Sequence, residues 1–262
     1  MNPLLKVLVY ARSIFVVLTV FPIWAIIMCS LNLLNNFTIQ NRAINDWMIS
    51  RWCRVNCWMF GVKLRAHGRE NLPPGTCLLL FNHTSFFDIF AIQSMVPDVR
   101  FGAKIELFKI PLFGPAMRRI GVLPIARGRL EEVLRVYKAA ESRAAAGERF
   151  ALAPEGGRNS GDEPLLNFKS GPFLFAVSAQ TPIVPVVVHG AREVWPKGHL
   201  VPQTLGLTTT IDVYFLKMIP VAGVPPDQKQ KLQAQTYLEM SEKMRELGEK
   251  VTSRAESSFS TP

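Results

Sequence analysis

The chain has 262 residues, 48% of them apolar, and a formal net charge of +10. That length allows one large α/β domain with an appendage or two small domains, with enough apolar residues for a sizeable core. The excess positive charge points to an anionic partner, but no zinc-finger spacing or dense Lys/Arg block is present, which argues against nucleic acid and leaves anionic lipid or a phosphorylated substrate. The four cysteines, Cys29, Cys53, Cys57 and Cys77, form no framework of loop staples. They read as structural thiols of a reducing compartment, with no metal site implied.

In chain order, no charged residue occurs between Arg12 and Arg42, and Ser13–Leu34 is almost wholly apolar. A stretch of 22 residues meets the length of about 20 needed to span a bilayer core. Pro22 interrupts it, and a proline inside a helix removes a hydrogen bond and kinks or breaks it. Two structures compete: a kinked transmembrane helix, or helices over about Pro3–Phe21 and Pro22–Leu34 that dip into one leaflet. No small-x-small cleavage site follows, which argues against a signal peptide. From Ile39 to Val62, Met48, Trp52, Val55, Met59 and Val62 fall on one helical face, beside a stripe of Trp47, Arg51, Arg54 and Trp58. Tryptophan next to arginine suits a headgroup zone, so this reads as an interfacial helix, with a helix packed on the catalytic domain as the alternative.

The globular domain begins near Lys63. Strands are expected over Cys77–Phe81, Val99–Ala103, Gly121–Ile125, Arg149–Ala153, Ile183–His189 and Thr208–Lys217. Helices are expected over Phe86–Met95, Pro111–Ile120, Leu130–Ala146, Gly171–Ala179 and Asp227–Ser253, the last with an apolar stripe at Tyr237, Met240, Met244, Leu247 and Val251. The alternation predicts an α/β fold: a mainly parallel mixed sheet flanked by helices, with an N-terminal membrane-anchoring helical segment. Three regions follow: membrane-associated helices over 1–62, the α/β domain over 63–255, and a disordered tail over 256–262.

Chemistry concentrates at strand ends. Asn82-His-Thr-Ser-Phe-Phe-Asp88 follows the apolar run Cys77–Phe81 and places a histidine and an aspartate five positions apart. These are the parts of a general base and its orienting carboxylate. Ser85 with Asp88 also reads as a helix capping box. Gly102–Gly114 mixes cations, glycines and bulky apolar residues, with Arg118, Arg119 and Arg127 downstream. Ala153-Pro-Glu-Gly-Gly-Arg-Asn159 offers glycines for close backbone approach and, in Arg158, a forked donor for phosphate oxygens. Glu155 could accept from a substrate hydroxyl or hold Arg158, and Ile183–His189 reads as a buried strand.

In this order the stretches resemble the glycerolipid acyltransferase family, whose best-known members are the 1-acyl-sn-glycerol-3-phosphate acyltransferases. The resemblance runs from about Arg65 to Pro220. Asn82–Asp88 is similar to the family's Asn-His-x-Ser-x-x-Asp motif at every specified position. Lys104–Gly114 with Arg127 is similar to the second block, Pro154–Asn159 to the third (usually Pro-Glu-Gly-Thr-Arg-Ser), and Ile183–Val186 to the fourth. Gly157 in place of threonine and Asn159 in place of serine are departures that lose two hydroxyls and bear on the acceptor headgroup.

The resemblance implies that His83 deprotonates a glycerol hydroxyl as it attacks a thioester carbonyl, with Asp88 fixing the imidazole. It implies that Lys104 and Arg158 bind the acceptor phosphate, that Glu155 and Gly156 shape that pocket, and that Arg127 assists, with Arg118 and Arg119 as weaker candidates. No acyl-enzyme, metal or resident cofactor is implied; acyl-CoA or acyl carrier protein supplies the thioester. The expected acceptor is 1-acyl-sn-glycerol 3-phosphate, giving phosphatidic acid, at the cytoplasmic face of the inner membrane. Another lysophospholipid or a lyso-aminolipid is the alternative acceptor, and a non-catalytic membrane lipid-binding protein is the alternative class.

Overall fold

A computed structural model of the chain describes residues 3–161, 163–204 and 206–249. The element order is α1 (Pro3–Phe15), a π-helical turn (Val16–Val20), α2 (Phe21–Phe37), α3 (Arg42–Met59), β1 (Val62–His67), β2 (Leu78–Phe81), α4 (Phe86–Met95), β3 (Val99–Lys104), α5 (Phe113–Arg119), β4 (Leu123–Ile125), α6 (Leu130–Ala145), β5 (Arg149–Leu152), α7 (Gly171–Ser178), β6 (Ile183–His189), α8 (Ala191–Val194), β7 (Thr209–Phe215) and α9 (Lys229–Glu246). The strands form one sheet in the order β1-β7-β6-β2-β5-β3-β4, which makes β2 the central strand. β2 pairs in parallel with both β5 and β6. Its four residues are buried, as a strand covered on both faces must be.

Every strand expected from the sequence is present. β1 was not expected, because only Val62 of its six residues is buried and Lys63–His67 has no apolar run. The expected extension of the last helix to Ser253, including Val251, runs past Glu246, and residues 250–262, with the expected tail, lie outside the described residues.

The chain divides into two compact units. The first comprises Met1–Arg65, Thr84–Pro124 and His189–Val213. Its apolar N-terminal stretch is one helical run, Pro3–Phe37, long and apolar enough to cross a membrane. The run is not cut at Pro22. The π turn lets the Phe21 N–H reach back to the Val16 carbonyl, and Pro22 takes the first turn of α2, where its missing donor costs least.

Polar pins fasten this run to the rest of the first unit. Arg12 donates to the carbonyls of Leu207 (3.0 Å) and Phe60 (2.9 Å) and to Thr204 Oγ1 (3.0 Å). Val9, Ser13 and Val16, spaced along one helical face, are buried beside it. Further along, Asn45 Oδ1 of α3 accepts from Asn32 Nδ2 (3.0 Å) and Asn35 Nδ2 (2.7 Å) of α2, and all three residues are buried.

Asn41 caps α3, its side chain accepting from the Ile44 N–H. The helix buries Asn45, Met48, Cys53 and Cys57 and packs on α4, with Trp52 edge-on to Phe90 at 5.3 Å between ring centroids. Burial pushes the Cys57 thiol up to about 12 and raises that of Cys53 well above its ordinary value. Of the Trp/Arg stripe, Trp47 and Trp58 are exposed, while Arg54 donates to the Ser94 carbonyl at 3.0 Å. The helix is therefore packed on its unit and also presents a tryptophan face.

The second unit comprises Ala66–His83, Ile125–Val188 and Tyr214–Pro262. Its core is aromatic. Phe175 meets Tyr137 and Phe150 at centroid distances of 5.3 and 5.5 Å, and Phe168 meets Tyr237 at 5.2 Å.

Asn45→Leu removes the shared acceptor and strands the buried Asn32 amide, while Asn35 Nδ2 keeps its bond to the Asn41 carbonyl (2.8 Å). It is expected to lower stability by about 1–3 kcal/mol, read from the denaturation midpoint in detergent.

Candidate active site

The β2–β5 register positions the candidate residues of the second unit. Leu78 opposes Phe150, Leu79 opposes Ala151 and Leu80 opposes Leu152. Carried three residues further, the same register sets His83 against Glu155, so the turn after β5 meets the turn after β2. The contact is polar. The His83 N–H donates to Glu155 Oε1 at 2.8 Å, and the His83 carbonyl accepts from the Asn159 N–H at 2.6 Å. Glu155 Oε2 accepts from the Leu166 N–H at 3.2 Å. His83, Glu155 and Asn159 are all buried, and the imidazole stands edge-on to Phe81 at 5.7 Å.

On the other flank Asn82 imitates a strand residue. Its Nδ2 donates to the Val188 carbonyl (2.9 Å) and its Oδ1 accepts from the Val188 N–H (2.7 Å). The side chain thus continues the β2–β6 ladder where the β2 backbone turns away.

The turn itself explains its glycines unequally. Gly156 has φ +76°, the left-handed region that favours glycine, and a Cβ there would sit 3.3 Å from Lys169 Cγ, a tight contact with a flexible side chain. A Cβ at Gly157 would meet Arg127 Nη1 at 3.6 Å, an ordinary contact, so the backbone does not require glycine there. Arg127 is thereby brought beside the turn, with its side chain exposed. Arg158 is half-buried in the same turn. Asn159 faces inward, donating to the Glu163 carbonyl (2.7 Å) and accepting from the Gly161 N–H (2.9 Å). Its side chain folds its own loop, so the substitution for serine at this position does not alter an exposed surface.

The first unit holds the remaining predicted residues. Ser85 is the N-cap of α4. Asp88 Oδ2 accepts from the N–H groups of Thr84 (2.7 Å) and Ser85 (2.8 Å), completing the expected capping box. Asp88 is fully buried. Ser85 Oγ accepts from the Phe87 N–H (3.3 Å) and donates to the Trp195 carbonyl (3.0 Å). Lys104 ends β3 at the surface, with Glu106 3.8 Å away; an exposed pair of this kind contributes about 0–1 kcal/mol. Arg118 lies over the Phe108 ring and Arg119 over Phe37.

Comparison with known proteins gives the family and the fold. A family model described as Acyltransferase matches residues 63–189. A Helicobacter pylori 1-acyl-sn-glycerol-3-phosphate acyltransferase is 30% identical over 161 residues, covering 61% of this chain and 67% of that protein. The chain belongs to the acyltransferase family. A chloroplastic Brassica napus 1-acyl-sn-glycerol-3-phosphate acyltransferase is 30% identical over 193 residues, covering 73% of this chain and 54% of that one. This acyltransferase chain spans roughly half the length of several of the curated relatives it matches, including those from Brassica napus and Arabidopsis thaliana. The crystal structure of the Thermotoga maritima 1-acyl-sn-glycerophosphate acyltransferase shares the fold at a TM-score of 0.76 and 20% identity, covering 96% of this chain and 100% of that one.

The motif pattern alone gave Asn82 no role and did not pair Glu155 with His83. The first position of the Asn-His motif was the available signal for Asn82; the Glu155 contact needed the strand order.

Ser85→Ala removes the cap acceptor and the bond to Trp195. It is expected to cost about 1–2 kcal/mol of stability, measured by chemical denaturation.

Proposed function

We propose that this acyltransferase moves a fatty acyl group from an acyl thioester to the sn-2 hydroxyl of 1-acyl-sn-glycerol 3-phosphate, forming phosphatidic acid. The observation that carries the reading is the complete Asn-His-x-Ser-x-x-Asp motif at the carboxyl end of the central strand, where α/β sheets present catalytic groups. The relatives, 1-acyl-sn-glycerol-3-phosphate acyltransferases by name, support the choice of acceptor.

In this reading His83 takes the hydroxyl proton as the oxygen attacks the thioester carbonyl carbon. The C–O bond forms, the C–S bond breaks, and the imidazolium returns its proton to the departing thiolate. Asp88 orients the imidazole and stabilises its charged form. The substrate hydroxyl is itself the nucleophile, so Ser85, engaged in the helix cap, forms no acyl-enzyme. Arg158, Arg127 and Lys104 supply the positive charge for the acceptor phosphate. Gly156 lets backbone come close to it. The donor is an acyl-CoA or an acyl carrier protein thioester.

The helical run Pro3–Phe37 would associate with the cytoplasmic face of the inner membrane. It exposes Leu4, Leu18, Ile23 and Phe37, and an apolar surface of this extent marks a lipid or partner face. A lysophospholipid could then be acylated with its chain still in the bilayer, and the net positive charge would favour an anionic leaflet.

One observation keeps a second acceptor in view. Gly157 leaves room beside Arg127 that threonine usually fills in the family, and another lysophospholipid headgroup is the reading that such room favours.

His83→Ala is expected to abolish transfer while leaving folding and membrane association intact; full activity in this variant contradicts the mechanism. Arg158→Ala is expected chiefly to raise the KM for the phosphorylated acceptor. An unchanged KM removes the phosphate assignment.

A further inference from the structure

We infer that Glu155 and Asn159 are positioning residues for His83, holding both its main-chain N–H and its carbonyl so that the turn after β5 sets the direction of the imidazole. The inference rests on the reading of His83 as the base. The parallel ladder recorded between β2 and β5 ends at Leu80 and Leu152, three residues short of His83. Beyond that point a carboxylate and an amide replace the ladder. Glu155 Oε1 receives the His83 N–H at 2.8 Å, and the Asn159 N–H reaches the His83 carbonyl at 2.6 Å.

Both gripping groups are themselves fixed. The other Glu155 oxygen takes the Leu166 N–H, so one carboxylate ties two separate stretches of main chain. The Asn159 side chain holds its own loop through Glu163 and Gly161. Glu155 is 5% exposed and Asn159 1%, so water competes little for these bonds. Hydrogen bonds to an ionised acceptor are roughly twice as strong as neutral ones, which suits a carboxylate to holding a catalytic backbone. A serine at position 159 keeps the main-chain bond to His83 but cannot both donate to Glu163 and accept from Gly161 over the same reach.

The two roles open to Glu155 separate kinetically. A group that binds the acceptor changes KM, whereas one that aims the base changes kcat. The experiment measures steady-state kinetics of the full chain in detergent micelles, with one labelled acyl thioester at saturation and 1-acyl-sn-glycerol 3-phosphate varied. It compares Glu155→Gln, Asn159→Ser and His83→Ala. Glutamine matches the size of glutamate but turns an NH2 group toward one of the two backbone donors.

The expected result is a kcat lower by about 10–100-fold in Glu155→Gln, the scale of an ångström-sized misplacement, and a smaller fall in Asn159→Ser. The acceptor KM is expected to stay within about twofold in both. A raised KM with kcat unchanged overturns the inference and makes Glu155 an acceptor ligand. If Glu155→Gln does not fold, Glu155→Asp decides, because its shorter carboxylate cannot reach the His83 and Leu166 N–H groups together: a kcat fall at constant KM supports the grip, and an unchanged kcat overturns it. If His83→Ala is inactive while the other two match the parent, the inference alone fails. If His83→Ala is fully active, the base assignment fails and the inference with it.

Discussion

The parallel register of β2 on β5 is the constraint on which the site depends. Setting Leu80 opposite Leu152 leaves no freedom in which residues meet beyond the strand ends. A slip of one residue would bring a different side chain to His83 and would turn each buried leucine of β2 toward the opposite face of the sheet. The register of β2 is therefore what locates the chemistry. Asn82 completes the arrangement on the β6 side by bonding to both main-chain groups of Val188.

The N-terminal run shows how a long apolar helix becomes part of a folded unit. Arg12 and the Asn32–Asn35–Asn45 cluster place polar groups where an isolated lipid-facing helix would have none. Their partners are internal, so the run is oriented: one stripe faces the rest of its unit and the remaining apolar surface is exposed.

The elements whose burial is uniform were legible in the sequence. Leu78–Leu80 and Ile183–Val188 are apolar runs of strand length, and Ser85 and Asp88 carry the helix start in their spacing. The missed strand β1 is polar along most of its length and is recognisable only from its place in the sheet. The π turn before Pro22 was hidden because sequence shows that proline disturbs a helix, not whether the preceding turn widens to absorb it. At the site, residue types and motif order were readable from the acyltransferase pattern. The grip of Glu155 on His83 was not, because it follows from β5 lying beside β2, a neighbour relation between strands about 70 residues apart that local patterning does not encode. The part the Asn159 side chain plays in folding its own loop was likewise not readable from the sequence.

In the proposed reaction the base acts on the sn-2 hydroxyl of a phosphorylated monoacylglycerol. This is tested most directly by supplying the purified full chain with one labelled acyl thioester and a panel of lysophospholipid and lyso-aminolipid acceptors, with products identified by mass. The account predicts phosphatidic acid as the dominant product. Preferential acylation of a different acceptor, or no labelled lipid from any of them, would contradict it.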